Sequence, residues 1–512
     1  MAEPAAAIAA PAAAAQWQTL SPWSVFHFAA RAIVKNIQAA YFFAPATYGV
    51  AQTDLAEYAW TIPIGIIVLV LISSVVTYVF FSYRVIEDAI EVRRGALFKK
   101  HLNLAFTRIQ NINTEHPFYF RPLGLVTLKI DSAGSAGEEI YLAALDTRGA
   151  EALRAYIAGR RRELGPRAQG TEQAARDEER ICFTRSLFDL VVHGLTNNRS
   201  LLVIAAIGGL MWQANVSLAD LVAALGLDLD VVVAGLSVVR LVLLFVVSFV
   251  FVMGVVALLS ILVAIVTYYG FTIYRTEGDL IVKRGLFTKH EIQVRKSRIQ
   301  TVSIRQDWLD FLIGRCNVVL EQISHRARDP GDEWNALRKK IVVPSVRIEE
   351  TPALASEVLP ARVIEALPFT PIRKRYFYKH ALIASAGYAL VLLVPLFMPE
   401  LARLYVPLVL TLWPAHVAAA YMRWKRGGLA IDGDTVVARS GLIGVDYHLF
   451  PAFKVQDVAH VQSVLMRRRG VSNIVFRTAS STIKVPYLPT AFAKAVVDYC
   501  IYRVEAGEKS WM

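Results

Sequence analysis

Cysteine is scarce in this 512-residue chain: Cys182, Cys316 and Cys500 stand far apart, in no pair spaced for metal or redox chemistry, and nothing supports a disulfide framework. Also missing are a glycine-rich phosphate loop, a nucleophile-elbow serine and a His-Glu zinc helix, the marks of common nucleotide-dependent, hydrolytic and metalloprotease sites. No catalytic residue, cofactor or metal is therefore expected, and the chain reads as a non-enzyme. Charge is sparse as well, at 19 % of residues, and nearly vanishes inside the long apolar runs. His380 and His416 lie near the ends of such runs, Arg240 and Arg403 at their boundaries. Proton relays and ion paths leave ionisable groups at mid-membrane, so their scarcity argues against transport and for spans that act as anchors. The opening "MAEPAAAIAAPAAAAQ" lacks the basic start and long Leu or Val core of a secretory signal, and residues 1–20 read as a disordered Ala/Pro tail.

What is abundant is apolar sequence. Hydrophobic residues make up 55 % of the chain and mean hydropathy is +0.42, more than a soluble core of this size needs. Uncharged runs cover 58–83, 200–219, 241–274, 380–399 and 404–422, each near or above the ~20 residues that cross a hydrocarbon layer as helix. A sixth stretch, 36–53, carries Asn, Gln and a central Pro and is the weakest span, either interfacial or kinked. Most of the 55 Lys and Arg fall in 82–180, 267–379 and 422–512, whereas the short connections hold Asp54 and Glu57, then Asp220, Asp228 and Asp230, then Glu400 and Arg403. By the positive-inside rule the three large segments are cytoplasmic and the short connections external. The expected order is a first hairpin over 21–81, a domain over 82–165, a linker with an interfacial helix over 166–198 and a second hairpin over 199–266. A domain over 267–367, a third hairpin over 368–421 and a last domain over 422–512 complete it.

The three basic segments share a ruler. Gly95, Arg108 and Gly124 are 13 and 16 positions apart; Gly285, Arg298 and Gly314 repeat those intervals, as do Gly441, Lys454 and Gly470. Tyr83-Arg84 and Tyr274-Arg275 mark the membrane exit of the first two copies, and "RIQ" (Arg108, Ile109, Gln110; Arg298, Ile299, Gln300) becomes "KVQ" (Lys454, Val455, Gln456) in the third. Around each first Gly, β-rich stretches such as "LIVKRGLFTK" predict a strand hairpin with a glycine turn or bulge. "LVTLKI", "NVVLEQI" and "NIVFRT" predict further strands. A terminal helix follows, capped by Asp146 or Thr147 in the first copy and by Thr490 in the third, and kept short in the second by Pro352 and Pro360. An antiparallel β domain, a small barrel or bent sheet closed by one helix, is the economical fold for each copy.

A span ending in Tyr-Arg, a hairpin with "RRGALF" or "KRGLF", then "RIQ", then "LG" or "IG" before another strand resembles the bacterial pleckstrin-homology domain of the second type. Three such domains, each behind a membrane hairpin, resemble the YdbT-like membrane protein family across nearly the whole chain. The third copy departs from the pattern in "KVQ" and in lacking the Tyr-Arg exit, which puts its sharing of the other two copies' role in doubt. The resemblance implies a multi-pass membrane protein with cytoplasmic PH-like domains and a link to envelope stress or antimicrobial-peptide resistance. A PH-like fold alone does not imply a phosphoinositide ligand.

Two sets of residues are candidates for contact with lipid or a partner. Arg93, Arg94, Lys99, Lys100, Lys283, Arg284 and Lys289 flank the first turns close to the bilayer exit; near an anionic surface each contributes ~1 kcal/mol, and a solvated, topology-setting role explains them equally. Arg467, Arg468 and Arg469 fall where the other copies read "FRPLG" and "DFLIG", and three unpaired guanidinium groups there predict an exposed loop or strand start. Ile109, Ile299 and Val455 read as core anchors and the three second glycines as structural. His101, His290 and His448 sit 6, 5 and 7 residues after the first Gly and read as polar residues on exposed strands. The whole points to a non-enzymatic membrane scaffold whose partners are the bilayer, including anionic lipid, and another membrane or cytoplasmic protein, with no nucleic acid. The competing reading is a channel, exporter component or transporter gated by the PH-like domains.

Overall fold

The structure is a computed structural model that describes residues 16–35, 61–96, 98–132, 140–164, 180–196, 237–276, 278–322, 340–359, 364–394 and 402–506, with 208, 209, 220 and 223 singly. It divides into two compact units, Met1–Thr276 with Ile281–Gln293, and Glu277–Leu280 with Val294–Met512.

In the first unit a two-residue strand, β1 (Gln18–Thr19), precedes helices α1 (Ser24–Lys35) and α2 (Thr61–Val79), and the chain then returns as β2 (Ser82–Ile86), β3 (Ala89–Arg94) and β4 (Lys100–Ala105). β1 pairs antiparallel with β2, Gln18 opposite Tyr83 and Thr19 opposite Ser82, so the helical hairpin is an insertion between the first two strands of a four-stranded sheet. The end of the stretch read as a tail is therefore a strand. β5 (Ile109–His116), β6 (Leu125–Ser132), β7 (Ile140–Asp146) and α3 (Thr147–Leu164) complete the first copy. Alternate residues of both sheets, Ile90, Val92 and Leu104 against Ile112, Leu128, Ile130 and Leu142, point inward. Ala150, Leu153 and Ile157, three and four residues apart on one face of α3, close that core. Thr147 does not cap the helix; its hydroxyl donates to the Gly124 carbonyl at 2.7 Å.

The pattern then recurs as β8 (Arg180–Thr184), α4 (Leu187–Thr196), α5 (Val238–Tyr268), β9 (Thr272–Arg275), β10 (Asp279–Arg284) and β11 (Lys289–Arg295). β8 pairs with β9 across the helices, as β1 does with β2. β11 also pairs with β5, Glu291 opposite Thr114, so one seven-stranded sheet, β7-β6-β5-β11-β10-β9-β8, is shared by consecutive copies. α5 is apolar on every side and exposed over most of Val242–Tyr268, with only the stripe Val256, Ser260, Ala264 and Tyr268 buried, an arrangement untenable in water and suited to hydrocarbon. Among the described residues it alone is long and apolar enough to cross a membrane. The runs 36–53 and 200–219 lie almost wholly outside the described residues, and α2 carries the second half of the first expected hairpin.

The second unit holds β12 (Ile299–Arg305), α6 (Trp308–Ile313), β13 (Arg315–Gln322), β14 (Lys340–Arg347) and the short α7 (Thr351–Ser356) expected from the prolines. The third copy begins with β15 (Thr370–Pro371), α8 (Arg375–Val391) and α9 (Ala402–Arg426). It continues through β16 (Gly428–Asp432), β17 (Thr435–Ser440), β18 (Asp446–Pro451), β19 (Val455–Val461), α10 (Val464–Arg468), β20 (Val471–Thr478), β21 (Thr482–Pro489) and α11 (Thr490–Glu505). Again one sheet spans two copies, β14-β13-β12-β18-β17-β16-β15, with β15 pairing β16 across the helices. β19-β20-β21 forms the last sheet. Pro489 holds the position before α11, and the Thr490 hydroxyl does not cap the helix but accepts from Gln462 and Ser472.

The ruler has a backbone cause. Gly124, Gly314 and Gly470 all sit left-handed, at φ 65, 68 and 63°, where they end the short turn between the fifth and sixth strands of each copy. A bulge falls on the Gln of "RIQ" or "KVQ" in every copy, between Ile109 and Asn111, Ile299 and Thr301, Val455 and Asp457.

Candidate functional site

A cavity of about 540 Å³ opens in the second unit where the shared sheet, β21 and the ends of α8 and α9 meet. From the sheet come Arg305, Glu321, Lys340 and Arg439; Arg423 comes from the last turn of α9 and Lys484 from β21. Five cations thus face two carboxylates, Glu321 and Asp446. Glu321, its side chain 2 % exposed, is held by Lys340 at 2.9 Å and Arg305 at 3.4 Å, which uses its charge within the wall. Arg423, Arg439 and Lys484 have no carboxylate partner among the described residues. Arg439 is fixed from below: its Nε donates at 2.9 Å to the Arg426 carbonyl at the end of α9, and its guanidinium lies 4.5 Å over the Phe369 ring.

Burial shapes the remaining groups. Burial lifts the Asp446 carboxyl above its ordinary range, although it accepts the Gln306 amide at 3.0 Å. Burial, then the nearby Arg305 charge, pushes His448 below its ordinary value, so its imidazole is neutral. His448 Nδ1 and Ser303 Oγ are 2.9 Å apart on directly opposed residues of β18 and β12. Since β12 is flanked by β13 and β18, its amides are spent in two ladders and offer no oxyanion hole, so this pair reads as a cross-strand hydrogen bond. Ile372, Tyr376, Ile483 and Val485 supply an apolar side wall. Positive charge beside an apolar wall, at a helix end, suits the phosphate and adjoining carbon skeleton of an amphiphile.

The residues singled out from sequence are distributed otherwise. Arg93 lies 3.8 Å over Trp17, and Lys283 4.5 Å over Tyr274, the same cation-on-ring contact that Arg439 makes two residues before its own glycine. That shared offset was the sequence signal for Arg439; Arg423 and Lys484 have none, since tertiary folding alone brings them together. Arg94 is half-buried and held below its ordinary value by desolvation and by Arg31. Arg284 sits 5.2 Å over Tyr268, Lys99 and Lys100 are exposed at the start of β4, and Lys289 is exposed opposite His116. Arg467 and Arg468 are exposed as expected, but on the helical turn α10, which the Ser463 side chain caps, with exposed Arg469 beyond it. Among the described residues no three His, Cys, Asp or Glu could hold a metal.

"RIQ" and "KVQ" work at the joints. Ile109, Ile299 and Val455 are buried, as is Gln300, while Arg108 and Gln456 are exposed. Gln110 sits at the first bulge, but its side chain lies outside the described residues. Arg298 is held down to about 10 by desolvation and by Arg295. Lys454 is buried and donates to the Ser297 and Ile299 carbonyls at 2.6 and 2.7 Å, which ties the third copy to the turn of the second. Its change from Arg is a fit to two carbonyl acceptors, for which a compact ammonium suffices.

The threefold ruler, glycine conformations and strand order agree with comparison to known sequences, where the family described as "Bacterial PH domain" matches residues 39–161, 229–362 and 384–504. The chain belongs to the bacterial PH domain family. It is also similar to the UPF0699 transmembrane protein YdbT of Bacillus subtilis (strain 168), 24 % identical over 467 residues that cover 88 % of this chain and 89 % of the relative. All three family matches begin inside the helical insertions, after β1, β8 and β15, the short strands that precede the helices. The bacterial PH unit of this chain therefore extends upstream of its family match in each copy.

Proposed function

We propose that this is a multi-pass inner-membrane protein, with its three PH-like domains on the cytoplasmic side, that works as a non-enzymatic scaffold and holds an anionic amphiphile in the cavity of the second unit. The observation that carries the ligand is the cluster of Arg423, Arg439 and Lys484 without carboxylate partners, beside an apolar wall at the foot of α8 and α9. The topology rests on strand pairing. β1 with β2, β8 with β9 and β15 with β16 bring both ends of every helical insertion within one strand spacing, ~5 Å, so each insertion leaves and re-enters on one side. Basic residues mark that side as cytoplasmic. Envelope stress or antimicrobial-peptide resistance is the setting that family resemblance implies for such a scaffold. The test is mass spectrometry of lipids retained by the full-length protein in native lipid particles. Arg423→Gln, Arg439→Gln and Lys484→Gln together should strip retained anionic phospholipid from a protein of unchanged thermal stability. Equal retention by both proteins, or displacement of the lipid by inorganic phosphate alone, would refute an amphiphile site.

A further inference from the structure

Consecutive copies are joined by one device used twice. The fifth strand of a copy pairs with the fourth strand of the next: β5 with β11, then β12 with β18. Counted on the ruler, the two joints have the same register. The residue six past Arg108, Thr114, faces the residue six past Gly285, Glu291; the residue six past Arg298, Ile304, faces the residue six past Gly441, Tyr447. The loop after the first glycine adds to each joint. Phe287 meets Phe118 with ring centroids 6.0 Å apart, while Arg121 donates to the Leu286 carbonyl at 2.7 Å. In the second joint, Val445 donates to Gln306 Oε1 at 3.3 Å and Gly444 lies against the Gln306 backbone.

The two ends of the array present the unused halves of this joint. β4, the counterpart of β11 and β18, is the end strand of the first sheet, and β19, the counterpart of β5 and β12, is the end strand of the last. The hairpins that carry β4 and β18 have one register, Arg94 opposite Lys100 and Ser440 opposite Asp446, each one before and five after the glycine. β19 likewise has the bulge of β5 and β12 at the same ruler position. Apolar side chains at both ends match the joint. Phe98, in the loop after Gly95, is 83 % exposed, and Val464 and Leu465, between the fifth and sixth strands of the third copy, are 70 % and 65 % exposed. Where the joint is made, β12 is buried over 299–304; in β19 only Val455 is. Long exposed edges of this kind pair unless blocked, and Lys99 and Lys100 at the start of β4 do not block it, since the matching residues, Lys289 and His290, lie within a made joint.

We infer that a second copy of this chain docks head to tail, its β4 adding to β19 in the internal register, with His101 opposite His460, Leu102 opposite Ala459 and Lys100 opposite Val461. Such an interface is heterologous and builds a ring or an open row of copies in the membrane plane. It is independent of the amphiphile site.

The full-length protein, with Cys182→Ser, Cys316→Ala and Cys500→Ala, provides the background for the test. One tagged copy carries His101→Cys and a differently tagged copy His460→Cys; both are made in one membrane and treated with oxidant or a short bis-maleimide. A covalent product containing both tags is expected, and it should be lost when the second cysteine is placed at Asp457→Cys, about 10 Å along the strand. No mixed product, or equal product from position 457, overturns the proposal. So does a double variant, His101→Cys with His460→Cys, that closes only within single chains. Mass measurement of the protein in native lipid particles gives an independent readout: more than one copy per particle is expected, and single copies throughout would overturn it.

Discussion

Gly444→Ala adds one methyl group at the joint between the second and third copies. Its Cβ would lie 1.7 Å from the Gln306 carbonyl oxygen, 2.6 Å from the carbonyl carbon and 3.1 Å from Gln306 Cβ. Ordinary contact needs roughly twice the first of these distances, so β12 and the loop before β18 must part by more than an ångström. The parting breaks the Val445 to Gln306 side-chain bond and the Gln306 amide to Asp446 bond and loosens the ladder from Ile304–Tyr447 to Val302–Leu449. Two or three hydrogen bonds at about 1 kcal/mol each give a local loss of about 3 kcal/mol, or roughly a 100-fold rise in opening of this joint. Hydrogen exchange followed by mass spectrometry on the full-length protein should show β12 and β18 amides exchanging faster by that factor, with β2 and β3 unchanged. Gly433→Ala is the control: its Cβ meets nothing within 4 Å, so its cost is confined to the β16–β17 turn. Unchanged protection of β12 in Gly444→Ala would refute a continuous sheet at this joint.

Gly314→Val should destabilise the protein more than Arg298→Ala, because a branched side chain at φ 68° costs about 2 kcal/mol or more, whereas Arg298 has a buried Nη1 without a hydrogen-bond partner; thermal unfolding in detergent compares them, and the reverse order would make Arg298 a polar anchor. Gly194→Val puts Cβ 2.4 Å from the Ile261 Cα, so α4 and α5 should separate and the yield of folded protein fall, as size-exclusion chromatography reports. His448 has a folded pKa depressed below its unfolded value of about 6.5, so the unfolded chain takes up the proton first and stability is lost as pH falls through that value. The loss between pH 7 and 5.5 should shrink in His448→Gln, measured as the difference in melting temperature between the two proteins; identical curves would remove burial of the neutral imidazole as the cause. Cysteines at positions 52, 225 and 400 should label from the periplasmic side, and those replacing Phe98 and Ser480 should not; outside labelling of either of the latter breaks the one-sided topology.

Local chemistry made much of this protein legible in its residues. Hydropathy marked α5, because crossing hydrocarbon demands an unbroken apolar run that no other environment requires. The 13 and 16 intervals survived because Gly124, Gly314 and Gly470 hold a conformation that side chains resist, and the core anchor after each Arg or Lys must fall on the inward face of its strand. What depends on pairing between distant segments was silent. β1 and β15 are two residues long, too short for any periodicity, yet they place each helical insertion inside a sheet and not in front of one. At matching places in β7, β14 and β21 the backbone takes positive φ at Ala144, Ser345 and Tyr487, three residue types with nothing in common that could have announced it. The basic cavity joins Arg305 to Lys484 across almost 180 positions, and the shared sheets join copies that read as separate domains. Strand edges carry only backbone donors and acceptors, identical for every residue but proline, so which edge meets which is decided by the tertiary fold.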